Sequence, residues 1–294
     1  MQVPPQLPSG ASSAPPEFHG LVDVGGYRLN AKLSGQGRTT VVFESGGGSL
    51  LEGWASVEAL IRPFARVVTY ERAGVGNSDY PPSNYPGTSA TGALRTLLLA
   101  LGVSFPIVLV GHSLGDFFAR GYAAHYPEDV AGLVLLDTRD ARFYEQLSPH
   151  LPPKTDTESP GLARLRAITS FYVGGELREP AVRPGEDPGL WWTVYDLMRT
   201  LQERGDLGDR PLEVVVRGVD DLGDAMTRDL PAAAELAWRQ VERQGWEAVK
   251  RLSSRGRMTV VEGCGHALPQ ERPDVVAQAI RRVVEAVGPH GTLH

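Results

Sequence analysis

The stretch "IVLVGHSLGDFF" (107–118) runs from four apolar residues, Ile107 to Val110, directly into a serine set between two glycines. A tight turn that happens to carry Ser113 is one reading. The other is a nucleophile held out of a sheet on a strained strand-to-helix elbow. On the second reading Gly111 and Gly115 are glycines because side chains there would collide with the neighbouring strand and helix. The helix after Ser113 would also turn its free backbone amides toward an anion forming beside the hydroxyl. The apolar run before the serine and the helical segment after it, "SLGDFFARGYAAHYP" (113–127), supply the context that the elbow requires.

Working outward, five more short runs are apolar almost throughout: "TTVVFES" (39–45), "ARVVTYERAG" (65–74), "AGLVLLDT" (131–138), "LEVVVRG" (212–218) and "GRMTVVEG" (256–263). Strands that do not alternate polar with apolar are buried on both faces, as in a parallel sheet. "LVDVGGYRLNAKLSG" (21–35) reads as a hairpin turning at Gly25 and Gly26. Helical patterns fall between the strands: "SVEALIRPFA" (56–65), "SATGALRTLLLALG" (89–102) and "LPAAAELAWRQVERQGWEAVKRLSS" (230–254), with "RPDVVAQAIRRVVEAV" (272–287) closing the series. The alternation predicts an α/β fold, a doubly wound, mostly parallel sheet with helices on both faces. Residues 1–19 are expected to be a flexible proline-rich tail and residues 20–290 a single domain. The interval between the fourth and fifth of these core strands is too long for a plain connection. It holds two helical segments, "GLARLRAITSFYVG" (161–174) and "GLWWTVYDLMRTLQERG" (189–205), and is expected to form a helical lid over about 140–211.

Composition narrows the function classes. The chain has 294 residues, 41% of them hydrophobic and 22% charged, which suits an ordinary soluble globular protein. A net charge of −6 argues against nucleic acid or an anionic membrane as partner. No apolar run approaches the roughly 20 residues that span a bilayer. One cysteine, Cys264, excludes an intrachain disulfide and disfavours a cysteine-built metal site, so no metal is expected. The first eighteen residues lack the basic start and apolar stretch of a signal peptide, which makes the cytoplasm the expected compartment.

In a parallel sheet, ligands bind beyond the carboxyl ends of the strands. The elbow lies there, and so does "ESGGGSL" (44–50). An acyl-transfer site needs two amide donors aimed at the tetrahedral oxyanion. Leu114, after the serine, would give one and Gly47 the other, with Gly48 as the near alternative. "VVEGCGHALP" (260–269) places His266 in the loop after the last strand, where an imidazole can accept the serine proton. Of the seven histidines only His266 lies at the carboxyl end of that strand, since His19, His290 and His294 are near the ends of the chain; His112, next to the serine, is expected to point into strand–helix packing. Trp191, Trp192 and Tyr195 are candidates for an apolar substrate pocket, although at helical spacing they also suit a core, and Trp191 shares a face with Tyr195.

"FESGGG", "VTYERAGVGNSD", "GHSLG", "GLVLLD" and "GCGHALPQERPDVV" follow one another in the order found in α/β-hydrolase fold serine hydrolases. Over about residues 20–288 the chain resembles the esterase-like branch of that family. The resemblance implies Ser113 as nucleophile, His266 as base, a carboxylate between them in chain order, and no cofactor. Two residues depart from the pattern. Glu71 stands where an aspartate is usual, a change expected to touch only a structural hydrogen bond. Asp116 stands where glycine or alanine is common, either stabilised by the helix dipole or unfavourable to an oxyanion nearby.

The acid must lie at a strand's carboxyl end near His266. "LLDTRD" offers Asp137, and "RGVDD" offers Asp221 with Asp220 beside it. Asp221 is at the position the family uses most often, while some relatives place the acid where Asp137 stands; the reading favours Asp137, with Asp221 the runner-up. The expected function is cleavage of a carboxylic ester or lactone through an acyl-enzyme, with a small-molecule substrate and water as partners. Aminopeptidase, thioesterase and carbon–carbon hydrolase chemistry are alternatives, as is a non-catalytic receptor that kept the fold. Dehalogenase and epoxide hydrolase chemistry is disfavoured, because it needs a carboxylate where this chain has serine.

Overall fold

The computed structural model describes residues 17–81, 89–175, 188–219 and 229–287. Eight strands form one sheet: β1 (Phe18–Asp23), β2 (Arg28–Gly35), β3 (Thr40–Glu44), β4 (Arg66–Tyr70), β5 (Ile107–His112), β6 (Val130–Leu136), β7 (Leu212–Arg217) and β8 (Gly256–Val261). Their order is β1-β2-β4-β3-β5-β6-β7-β8, antiparallel at β1–β2 and β2–β4 and parallel from β4 onward. The expected hairpin is β1–β2, turned by Gly25 and Gly26, both at positive φ, whose amides donate to Asp23 Oδ1. β1 begins at Phe18, ahead of the boundary at residue 20 expected from the sequence, and residues 1–16 lie outside the described residues.

Every residue of β3 to β7 is buried, which is why their sequences are apolar instead of alternating. β5 shows the two-faced requirement residue by residue. Ile107 and Leu109 join one core layer; Val108 and Val110 join the other.

The first layer is closed by α2 (Ser89–Ala100), α3 (Leu114–His125) and the Trp246 end of α7 (Ala232–Lys250). The second is closed by α1 (Ala55–Ile61) and α9 (Pro273–Val287), the latter through Val276, Ile280, Val283 and Val287, one stripe of a 3.6-residue helix. Gly132 of β6 lets α9 lie close, since a Cβ there would sit 2.6 Å from Val283 Cγ1. Short α8 (Leu268–Glu271) precedes α9.

The interval between β6 and β7 holds α4 (Phe143–Leu147), α5 (Pro160–Gly174) and α6 (Pro188–Arg204). The two helices expected there are present, and α4 is an addition. They build a third apolar cluster with Phe117 and Phe118 of α3 and Trp238 and Val241 of α7. α6 crosses α3 at Gly121, where a Cβ would come within 2.4 Å of Leu197 Cδ2. This cluster therefore rests on the first turns of α3, the helix that follows Ser113. Among the described residues no helix is long and apolar enough to cross a membrane.

Candidate active site

The parallel strands end at one edge, and the segments leaving β3, β5, β6, β7 and β8 meet there. Ser113 has φ 54 and ψ −118, a backbone conformation that side-chain-bearing residues seldom adopt. Its N–H donates to Leu136 O at 3.0 Å, which pins the elbow to β6. The flanking glycines are required sterically: a Cβ on Gly115 would lie 2.1 Å from Glu44 O, and one on Gly111 2.8 Å from Asp116 Cα. The turn is thus wedged against the end of β3.

His266 lies between Ser113 and Asp137. Its Nε2 is 3.0 Å from Ser113 Oγ and its Nδ1 is 2.5 Å from Asp137 Oδ2. Asp137 follows β6 with φ 46, so it too holds a left-handed conformation, and its N–H donates to Val215 O of β7 at 2.8 Å. Burial pushes its carboxyl up, but the hydrogen bond from His266 and the charge of Arg217 outweigh this and hold it below the usual carboxylate range. An ionised Asp137 accepts a hydrogen bond from the Nδ1–H, which leaves the Nε2 lone pair facing the serine hydroxyl. The arrangement can therefore draw a proton from Ser113 and stabilise the imidazolium that results. Asp220 and Asp221 lie outside the described residues.

Gly47 packs beside Leu114, since a Cβ on it would be 3.6 Å from Leu114 Cδ2. Neither of their N–H groups donates to a protein acceptor among the described residues. The loop is held by Arg72, which donates to Ser45 O at 2.6 Å and to Gly46 O at 2.9 Å. A trans peptide points its C=O and N–H in opposite directions. Fixing Gly46 O on the Arg72 side therefore turns the Gly47 N–H away from the arginine. Arg72 is in turn set by Glu44, 3.3 Å away, and by the Phe118 ring beneath it. Sequence reading did not single out Arg72.

His112 departs from its expected place. Its buried ring does not simply pack: Nε2 donates to His266 O at 2.8 Å, and the two rings lie 5.0 Å apart. Burial first, and proximity to His266 second, lower its pKa to about 4, so the neutral ring is the one that makes this bond.

The two departures from the family pattern are both absorbed locally. Glu71 accepts from Asn30 Nδ2 and the Asn77 N–H, a structural role as expected. Asp116, fully buried, pairs with Arg120 one turn on, so its charge is matched within α3. Arg217 and Glu242 were missed altogether. Arg217 Nη1 lies 2.5 Å from Asp137 Oδ2, and Nη2 pairs with Glu242 of α7. A charged residue ending the buried run "LEVVVRG" was the available signal, because a buried guanidinium needs partners.

Trp191, Trp192 and Tyr195 are brought together around Phe171 of α5, with centroid distances of 6.0, 5.0 and 5.4 Å. Trp191 also stacks on Tyr172. Their ring partners belong to the α5–α6 cluster, not to the Ser113–His266–Asp137 line.

The model of the alpha/beta hydrolase family matches residues 41–279. An AB hydrolase superfamily protein of Gibberella zeae is 25% identical over 88% of this chain and 92% of its own length. The 2-(acetamidomethylene)succinate hydrolase of Mesorhizobium japonicum is 24% identical over 90% of this chain and 94% of its own. A further match, 35% identical to a probable transporter of Hormonema carpetanum, spans 44% of this chain and only 20% of that protein. Among solved structures, a thermophilic esterase from Thermogutta terrifontis superposes with a TM-score of 0.58 at 21% identity, covering 92% of this chain and 99% of its own.

Proposed function

Because the chain belongs to the alpha/beta hydrolase family, we propose that it is a serine hydrolase that cleaves a carboxylic ester or lactone through an acyl-enzyme. The observation that carries this reading is the unbroken line from Ser113 Oγ through the His266 ring to a buried carboxylate, Asp137. In the proposed reaction Ser113 Oγ attacks the substrate carbonyl carbon while its proton passes to His266 Nε2. The negative oxygen is received by the N–H groups of Leu114 and Gly47, for which no protein acceptor among the described residues competes. Collapse breaks the carbon–oxygen bond, and the imidazolium gives its proton to the departing alkoxide. Water then adds to the acyl carbon as His266 takes its proton, and the acid leaves as Ser113 Oγ regains one. Trp191, Trp192 and Tyr195 are assigned to an apolar pocket, and α5 and α6, resting on the start of α3, to a lid above it.

The reading is tested with a fluorophosphonate probe and a panel of esters of graded acyl length, with thioesters and amides alongside, on the parent and Ser113→Ala. The parent should label at Ser113 and turn over esters, and the variant should do neither. A chain that does not label, or a variant that keeps more than about a tenth of the turnover, removes the covalent route.

A further inference from the structure

Arg217 ends β7 and gives the two arms of its guanidinium to carboxylates from distant parts of the chain. One arm takes Asp137 Oδ2, the same oxygen that His266 Nδ1 approaches. The other takes Glu242 of α7. The Trp246 ring lies 5.6 Å from the guanidinium, and Arg139 stands 3.8 Å from the far oxygen of Glu242. Asp137, Arg217 and Glu242 are all nearly inaccessible. Buried ion pairs are poor stabilisers compared with apolar residues of similar volume. A chain of them that ends on the oxygen facing His266 calls for another explanation.

We propose that Arg217, itself held by Glu242, is a positioning residue that fixes Asp137 toward His266 and divides the charge of Oδ2 between guanidinium and imidazole. The inference rests on the serine-hydrolase reading of the site. An oxygen shared with a guanidinium offers less negative potential to the ring, so the imidazolium is stabilised less than by a free carboxylate. Glu242 offsets this by taking up part of the Arg217 charge. Arg217 and Glu242 therefore act in opposite directions on how readily His266 takes a proton, whereas residues serving only to pack would not. Among the described residues, the other charged or titratable groups around the pair are His112 from the end of β5, Arg139 after β6, Cys264, and Glu271 of α8, whose carboxylate accepts the Gly265 N–H at 2.8 Å. They are common to every variant compared.

The test uses the full chain and the rate of Ser113 labelling by a fluorophosphonate as a function of pH, for the parent, Glu242→Gln, Arg217→Met and Arg217→Lys. A second readout, independent of turnover, is the low-field proton resonance of His266 Nδ1–H, assigned by its loss in His266→Gln. Glu242→Gln should move the acid-side midpoint of labelling to lower pH and Arg217→Met to higher pH. Arg217→Met should also label roughly tenfold more slowly at neutral pH as Asp137 loses its fixed geometry, with part of the rate recovered in Arg217→Lys. The resonance should leave its parental position in both charge-removing variants. Midpoints that stay fixed or move together, with the resonance unmoved, overturn the proposal. If Arg217→Met does not fold, Glu242→Gln decides alone: a lower midpoint supports the proposal and an unmoved or higher one refutes it. A parent that never labels at Ser113 refutes the serine-hydrolase reading instead, and the resonance still tests the hold of Arg217 on the Asp137–His266 pair.

Discussion

Asp137 Oδ2 lies 2.5 Å from His266 Nδ1, on the side of the ring opposite Ser113, and it reaches that place from the end of β6. A carboxylate there accepts a hydrogen bond from Nδ1–H and leaves the Nε2 lone pair free for the serine. The amide of Asp137→Asn can instead donate to Nδ1, which favours the wrong tautomer. Turnover of an ester, or labelling of Ser113, should fall roughly a thousandfold or more while the circular dichroism spectrum stays parental. A loss of less than about tenfold would mean that another group orients the ring.

Arg72 gives a second expectation. Its bonds to Ser45 O and Gly46 O set the direction of the Gly47 amide, and the arginine itself sits beneath the loop on Phe118. Arg72→Met should lower kcat by about ten- to a hundredfold and leave KM nearly unchanged, since an oxyanion donor acts on the transition state and not on the bound ester. Arg72→Lys, with one donor group in place of a fork, should recover only part of the rate. A rise in KM at constant kcat would place Arg72 in ground-state binding instead.

How far all this was legible depends on how local each cause is. β3 to β7 could be read because burial on both faces demands apolar residues in sequence, whatever the neighbouring strand. The elbow could be read because the glycines it requires fall within five residues, Gly111 to Gly115, even though the backbone that demands Gly115 lies at the end of β3. His266 followed from its place after the last strand. The acid needed a choice, since both β6 and β7 are followed by aspartates, and no local rule separates them. The charge that ends "LEVVVRG" marked Arg217 as needing partners, but which partners the supports of the site would meet could not be read, for the same reason. His112 meets the His266 carbonyl across 154 residues of chain, and Arg217 meets Asp137 across 80. Only the folded sheet edge brings them together.

Gly115 is the stricter of the two elbow glycines. A methyl group there would sit 2.1 Å from Glu44 O, at the last residue of β3, and 2.6 Å from Ser45 O, at the residue after it, both backbone atoms. Neither can swing aside as a side-chain end would, so β3 and α3 must separate. Gly115→Ala should lower the urea midpoint by an amount equal to several kcal/mol, or prevent folding, and Ser113 labelling should fall with it. Gly47→Ala meets only Leu114 Cδ2 at 3.6 Å and should fold like the parent. Equal stability of Gly115→Ala and the parent would contradict the packing of the elbow on β3.

His112 makes stability depend on pH in a direction that can be worked out. Its folded pKa is about 4, against 6.5 for the free ring, because burial and the nearby His266 disfavour the charged form. Between these values the unfolded chain binds a proton that the folded chain does not, so stability drops as pH falls through that window. The fall from pH 7 to pH 4.5 should be about 2 to 3 kcal/mol on this account. Glu44 and Glu242, whose carboxyls burial pushes up, act with the opposite sign over part of the same range. The contribution of His112 is therefore read from a difference. His112→Gln keeps an N–H to donate to the His266 carbonyl but cannot titrate. Urea unfolding of the parent and His112→Gln at a series of pH values should show the parent losing more stability on acidification, with the two curves parallel above about pH 7. Parallel curves throughout would mean that the His112 ring takes up a proton as easily in the folded chain as in the unfolded one, and that burial does not hold it neutral.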